Sequence, residues 1–316
     1  MNMQDSLIKL SFGDCNLGAV VNDHEYLFSY DAGGPTSLRV GGKEWLYRSP
    51  RPMFWRATTE NDQGNGLPQR AAAWYADSQF ARPELIQVVV NGKTIALPFD
   101  VENNVHTADE KVDQVGLTFR YHAPISATHC DVIYTVNADA TLQVKVDYPG
   151  FVDAPELPVF GLQMIMPTPA TGFNYTGLSG ETYPDRMAGG IPGTYAIQGL
   201  PVTPYLVPQD CGVHMQTSEV VITRHQTLNN ADSDTSTYDL QISQLKDSFA
   251  FSLLPYTAYE LENATHQDEL PPVRHTVLTV MGGVRGVGGI DSWGSDVQPD
   301  YRIDATQPHT FEFSVY

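Results

Sequence analysis

Short runs in which apolar and polar residues alternate recur along the whole chain. In "TLQVKVDY" (141–148), Leu142, Val144, Val146 and Tyr148 fall on one side, with Gln143, Lys145 and Asp147 on the other, which is the period of a half-buried strand. "STYDLQISQL" sets Tyr238, Leu240 and Ile242 in the same rhythm, and "HTFEFSVY" closes the chain with Phe311, Phe313 and Val315. The pattern predicts antiparallel strands with one wet face. Asn91-Gly92 in "VVVNGKTIAL" and Gly41-Gly42 in "SLRVGGKEWLY" each separate two β-prone runs. Both dipeptides tolerate the positive φ that a type I′ hairpin turn requires at its two central positions.

One helix is predicted, over "LPQRAAAWYADSQF" (67–80), with Pro68 near its first turn and a run of alanines behind it. A single helix cannot supply the crossovers of a parallel sheet, so a TIM barrel and a doubly wound sheet are both excluded. No low-complexity linker and no fixed-period repeat divides the chain. The expectation is one all-β domain over residues 1–316, built as a large antiparallel sandwich with one short helix.

Charge narrows the partners. Lysine and arginine total 18 against 37 aspartates and glutamates, a formal net charge of −19 spread along the chain, which repels nucleic acid and anionic membranes. Cys15, Cys130 and Cys211 are far apart and odd in number, the usage of reduced thiols, and are expected as small buried hydrophobes. The first residues lack the basic start and apolar run of a secretory signal, and nowhere do ~18 apolar residues run uninterrupted. The expectation is a soluble, cytoplasmic protein.

Candidate chemistry concentrates in a few loops. "MGGVRGVGGIDSWGSDV" (281–297) packs six glycines around one tryptophan. A dinucleotide fingerprint is excluded, since Asp291 stands where the third glycine belongs and no helix follows to face a phosphate. The glycines then form a turn, and Trp293 is either a plug over the core or a flat platform for a ligand. "FWRATTENDQGNG" (54–66) reads as a mobile polar loop beside a site, or as an Asx-turn leading into a helix. In "GLSGETYPDRM" (177–187), Asp185 and Arg186 suit a loop-holding pair. Nine scattered histidines lack metal-ligand spacing, and no nucleophile elbow or identifiable carboxylate pair is present.

Taken in order, four stretches carry a resemblance. "RATTENDQG" resembles the R-A-P-x-D-N-D-x-G segment in the C-terminal part of β-galactosidases of the glycoside hydrolase 2 type. "GLSGETYPDR" is similar to their G-x-G-P-x-E-x-Y-x-D-R, "PYLVPQDCG" (204–212) to P-Y-x-x-P-Q-E-N-G, and "GVGGIDSW" to G-I-G-G-D-D-S-W. Among the differences, Asp210-Cys211 replaces Glu-Asn and Ile290 replaces the first aspartate before Asp291.

The resemblance implies a galactose-mutarotase-like supersandwich, normally fused behind a TIM barrel that carries two catalytic glutamates. A chain that starts at Met1 without a barrel resembles the separately encoded small subunit of the heterodimeric enzymes. It implies that no catalytic residue lies in this chain, that a large catalytic subunit is the partner, and that terminal β-D-galactosides such as lactose are the substrates. It also implies no metal on this chain, with magnesium and sodium on the partner. The tryptophan that lines the aglycone side maps to Trp293, and the loop bordering that pocket to Asn61, Asp62 and Gly64. Asp291, Ser292, Asp185 and Arg186 map to motif-supporting positions. Two other functions suit the same fold: a stand-alone aldose 1-epimerase, with its own histidine and glutamate facing a sugar, and a carbohydrate-binding module.

Overall fold

A computed structural model describes residues 7–96, 111–229, 231–291 and 294–316. Its strands form three antiparallel sheets. The first is a five-stranded meander: β1 (Lys9–Phe12), β2 (Asn16–Val21), β3 (His24–Ser29), β4 (Gly34–Val40) and β5 (Lys43–Glu44). The central sheet has ten strands: β7 (Arg82–Val90), β8 (Lys93–Ile95), β9 (Gln114–His122), β10 (His129–Asn137), β11 (Leu142–Tyr148), β13 (Gly172–Leu178), β14 (Pro192–Gln198), β16 (Glu219–Arg224), β17 (Tyr238–Gln244) and β20 (His309–Val315). Its spatial order is β14-β13-β16-β17-β20-β11-β10-β9-β7-β8. The third holds β6 (Arg48–Met53), β12 (Val159–Met166), β15 (Val213–Thr217), β18 (Phe249–Leu254) and β19 (Thr276–Val284), in the order β15-β18-β19-β12-β6.

The alternating runs form the strands expected of them. Leu142, Val144, Val146 and Tyr148 are buried in β11 while Lys145 is exposed. Positive φ at Asn91 and Gly92, and at Gly41 and Gly42, makes both hairpin turns. The third sheet departs from alternation, because every residue of β12 and β18 is buried. Its inner face packs on the central sheet, where the Phe160 and Phe311 rings meet edge to face at 5.1 Å. Helix α4 (Ala258–Asn263) and its flanks cover part of its other face, so neither face can carry polar side chains at will.

The central sheet backs both smaller ones. Against the first sheet, the Phe28 and Tyr134 rings lie 5.8 Å apart, and the Tyr26 hydroxyl donates to the Ala140 carbonyl at 2.7 Å. Against the third, Phe173 meets Phe251 at 5.8 Å. One buried apolar cluster runs from Ile8 to Val315 through both contacts. Cys130 and Cys211 belong to the buried set, but Cys15 is exposed at the start of a hairpin strand, contrary to expectation.

The helical content is richer than the sequence pattern predicts. The single helix over 67–80 is two pieces, α2 (Leu67–Arg70) and α3 (Ala72–Phe80), broken at Ala71, where φ −105° and ψ 10° leave the helical region. Ahead of them stands α1 (Glu60–Asn65), capped by Thr59 and ended by Gly66 at φ 77°. In local form, 54–66 is thus a turn leading into a helix. Thr257 and Glu260 form a capping box that starts α4, a four-residue signature legible in "TAYE". Among the described residues no helix is long and apolar enough to cross a membrane.

His214 on β15 lies in the interface between the central and third sheets, with its ring 4.3 Å from Tyr175 and 5.0 Å from Phe251. Burial pushes its imidazole down to about 4, opposed by a hydrogen-bonding contact with the Gly180 carbonyl. The folded pKa is thus below the ordinary 6.5. Stability from the neutral ring is complete above the unfolded value and lost as pH falls through the folded one. His214→Gln should lose less stability than the parent between pH 7 and about pH 4.5 in urea melts. Equal losses in the two proteins would place the acid sensitivity elsewhere.

Candidate functional site

The four sequence stretches, spread over more than two hundred residues, converge on one cleft of about 400 Å³. Thr59, Glu60 and Asn61 come from the first stretch, Glu181, Tyr183 and Arg186 from the second. Tyr205, Gln209 and Asp210 come from the third, and the backbone at Val287 to Gly289 from the fourth.

Hydrogen bonds lock the stretches together. Asp185 accepts from the backbone N–H groups of Val287 at 3.1 Å and Gly288 at 2.8 Å, so the glycine turn is held by a carboxylate from another loop. A Cβ at Gly286 would lie 2.7 Å from the Asp185 carboxyl carbon, so any larger residue there would push that carboxylate off the turn. The Asn61 amide donates to the Val287 carbonyl at 2.9 Å, and the Glu60 N–H donates to Gln209 at 2.8 Å. The Tyr183 hydroxyl donates to Asp210 at 2.9 Å.

Asp62 lies beneath the cleft. It is fully buried, accepting from Arg56 at 2.7 Å and Arg285 at 2.9 Å, and from the N–H and hydroxyl of Thr59 at 2.9 and 3.0 Å. Arg56 also donates to the Gly286 carbonyl at 3.1 Å, joining the first stretch to the fourth. Burial works against the Arg56 charge, but the carboxylates of Asp62 and Asp210 outweigh it and hold the guanidinium above its ordinary value. Arg285, fully buried, further reaches Glu156 at 3.3 Å and pairs with Asp296, which Arg302 and Arg70 also contact. Glu262 of α4 accepts from the Thr58 N–H at 2.6 Å and from its hydroxyl at 2.8 Å, fastening that helix to the same loop.

The cleft presents a hydrogen-bonding set suited to a polyhydroxylated ligand. The carboxylates of Glu60 and Glu181, the Asn61 and Gln209 amides and the exposed Arg186 guanidinium offer donors and acceptors in several directions. Tyr205 adds a flat carbon face. Burial raises the Asp210 carboxyl to about 6, against the lowering effects of Arg56 and the Tyr183 hydroxyl. Near neutral pH this group exchanges readily between donor and acceptor. Burial, and then the Asp210 charge, pushes the Tyr183 phenol well above its usual range, so it remains a donor.

The residues singled out from sequence fall into distinct places. Asn61 lines the cleft, Asp62 anchors it from below, and Asp185 holds the glycine turn. Arg186 lines the cleft, with one guanidinium N–H on the Asp185 carbonyl at 3.1 Å. Gly64 meets the backbone just past the fourth stretch, since a Cβ on Gly294 would lie 3.0 Å from the Gly64 carbonyl oxygen. Asp291 accepts from the Ser295 N–H at 3.2 Å and also from its hydroxyl. Ser292 and Trp293 lie outside the described residues. Sequence reasoning did not single out Arg56, Arg285, Tyr183 or Asp210, although all four stand inside stretches quoted for other reasons. Among the described residues no three His, Cys, Asp or Glu side chains are arranged to hold a metal ion.

Removing the charge of Asp62 leaves Arg56 and Arg285 buried without their shared counter-ion. Asp62→Asn should cost ~3–5 kcal/mol of stability, the range for breaking a buried pair, read from chemical denaturation. A loss below ~1 kcal/mol, the scale of an exposed pair, would show that Glu156 and Asp296 suffice for Arg285 and Asp210 for Arg56.

Comparison with known proteins sets this geometry in context. Residues 21–315 match the family described as Beta galactosidase small chain. A Beta-galactosidase small subunit of Latilactobacillus sakei is 55% identical over 305 residues, covering 96% of each chain. A Beta-galactosidase of Halalkalibacterium halodurans is 33% identical over 314 residues, 98% of this chain but 28% of its own. The chain thus spans about a quarter of that larger relative. A galactose mutarotase-like protein from Lactobacillus casei is similar in structure, with a TM-score of 0.40 and 9% identity over 98% of this chain and 99% of that one. With its antiparallel sheets in place and its four stretches interlocked around one cleft, and with a match nearly end to end at 55% identity, the chain belongs to the β-galactosidase small-chain family.

Proposed function

We propose that this chain is the non-catalytic but required small subunit of a two-chain β-galactosidase, in which it completes the aglycone side of the active site. The observation that carries the reading is the pair of coverages. One relative called a small subunit matches over 96% of its length, whereas a larger β-galactosidase matches over only 28% of its own. The remaining part of the larger enzyme corresponds to a separate large chain. Retaining glycoside hydrolysis needs an acid/base carboxylate and a nucleophilic carboxylate ~5 Å apart on a rigid frame, and in this reading both stand on the large subunit.

The cleft supports the assignment in chemical terms. Its amides, carboxylates and guanidinium suit sugar hydroxyls, and the Asp62 anchor holds α1 and the glycine turn at a set separation. The close backbone approach at Gly64 and Gly294 joins the 60–65 segment to the immediate neighbour of Trp293. A flat indole there would pack on the C–H face of the leaving sugar. The substrates in this reading are terminal β-D-galactosides, lactose among them.

Two measurements test the proposal. Mixing the purified chain with its large subunit should raise nitrophenyl β-galactoside hydrolysis at least ~100-fold over either chain alone, about 2.7 kcal/mol of barrier. Hydrolysis by the lone chain at the rate of the pair would refute the division of labour. In the assembled enzyme, Trp293→Ala should weaken lactose or glucose-acceptor handling about tenfold, roughly one good aromatic contact, with a smaller change for aryl galactosides. Unchanged acceptor kinetics with a lowered melting temperature would favour a core plug.

A further inference from the structure

A second and larger cleft, of about 660 Å³, opens on the third sheet and shares no lining residue with the cleft of the four stretches. Its lining includes Arg48 and Arg51 of β6, Gln163 of β12, and Arg274 and His275 just before β19. A concentration of three guanidinium groups is notable in a chain of net charge −19. The single carboxylate in the lining is Glu260, and its charge is already engaged. One oxygen accepts from the Thr257 N–H at 2.8 Å and from its hydroxyl at 3.0 Å, and the other faces Arg274 at 3.4 Å.

Arg48 and Arg51 are less fully neutralised, Glu260 acting on Arg48 only from beyond ion-pair distance. Arg51 donates to the Ala81 carbonyl at 2.7 Å, and among the described residues neither arginine has a carboxylate at ion-pair distance. The Arg48 guanidinium makes no hydrogen bond to a described residue, and partial burial together with the Arg51 charge lowers its pKa against the opposing effects of Tyr259 and Glu260. Two mutually repelling cations on one wall are the arrangement an anion relieves, and guanidinium pairs suit phosphate oxygens.

Gln163 is the second, independent sign. Its side chain lines the cleft from a fully buried strand, the residue is only 5% exposed, and its amide has no hydrogen-bond partner among the described residues. The amide is open to the cleft rather than sealed in the core, so its donor and acceptor are free to meet a polar ligand there. In the same lining, the Tyr47 and His275 rings lie 4.4 Å apart and offer flat carbon surface. The volume falls within the ~300–1,000 Å³ typical of small-ligand sites.

We propose that this cleft binds a small phosphorylated polyol, a sugar phosphate, with Arg48 and Arg51 on the phosphate, Gln163 on hydroxyls and the Tyr47–His275 rings against the C–H faces. The site is separate from the galactoside cleft, and its occupation can be measured without hydrolysis.

The test is calorimetric titration of glucose 6-phosphate into the chain, alone and assembled with its large subunit, with glucose and inorganic phosphate as parallel titrants. The expected result is saturable binding with Kd at or below about 1 mM and glucose at least tenfold weaker. Arg48→Gln and Gln163→Leu should each weaken binding about tenfold. The ligand-free melting temperature of Arg48→Gln should stay at the parent value, because the exposed Arg48 guanidinium holds no hydrogen-bond partner among the described residues. Inorganic phosphate binding as tightly as glucose 6-phosphate would overturn the sugar-phosphate assignment. No saturation by about 10 mM, or hydrogen-exchange protection of 47–51 and 274–277 on pairing with the large subunit that abolishes binding, would overturn the site itself.

Discussion

A buried carboxylate between two guanidinium groups is the constraint on which the candidate site depends. Asp62 belongs to α1, Arg56 to the segment leading into it, and Arg285 to the end of β19, yet all three meet with almost no solvent contact. Charges so deeply buried are tolerated only when their hydrogen-bonding capacity is used. Here most of it is: Asp62 accepts from two arginines and from Thr59, and Arg56 reaches on to the Gly286 carbonyl, with only its Nε left without a partner among the described residues. The geometry of the glycine turn follows from that demand, and Asp185 completes it from the opposite side.

The sheets supply the frame in which this cluster can be held. The central sheet supports both smaller ones, so the third sheet is packed on two faces and its strands are buried throughout at β12 and β18. Loops leaving such a sheet start from fixed points. β19 delivers Arg285 and the glycine turn, β6 leads to Arg56, and β15 begins just after Asp210. Glu262 then ties α4 to Thr58, so a helix remote in sequence braces the loop that carries Asn61 and Asp62.

Charge is divided by position. Carboxylates outnumber cations two to one over the chain, while several arginines are withdrawn into buried or half-buried places. Arg224 lies against the Trp45 and Tyr238 rings, Arg56 and Arg285 surround Asp62, and half-buried Arg51 lines the larger cleft beside the exposed Arg48. The first two groups have their partners within the fold. The third has the Ala81 carbonyl on Arg51 but, among the described residues, no carboxylate at ion-pair distance, and that difference separates structural arginines from ones available to a ligand.

Strand existence, inward faces and hairpin turns were legible in the residues, because each depends on neighbours within a few positions. Period-two alternation placed Val144, Leu240 and Phe313 inside, and positive φ at Asn91-Gly92 closed its hairpin. The order of four short motifs was legible too, and with it the family. Other features were beyond local reading. The break at Ala71 and the separate α1 depend on packing rather than on the alanine run, and "TAYE" signalled α4 only through a short capping box. That Asp62 is an anchor rather than a lining residue, or that Gln163 faces a cleft, depends on partners hundreds of positions away. Sequence determines which groups can bond nearby; only the closed sheets decide which distant charges lose their water, and therefore which must find one another.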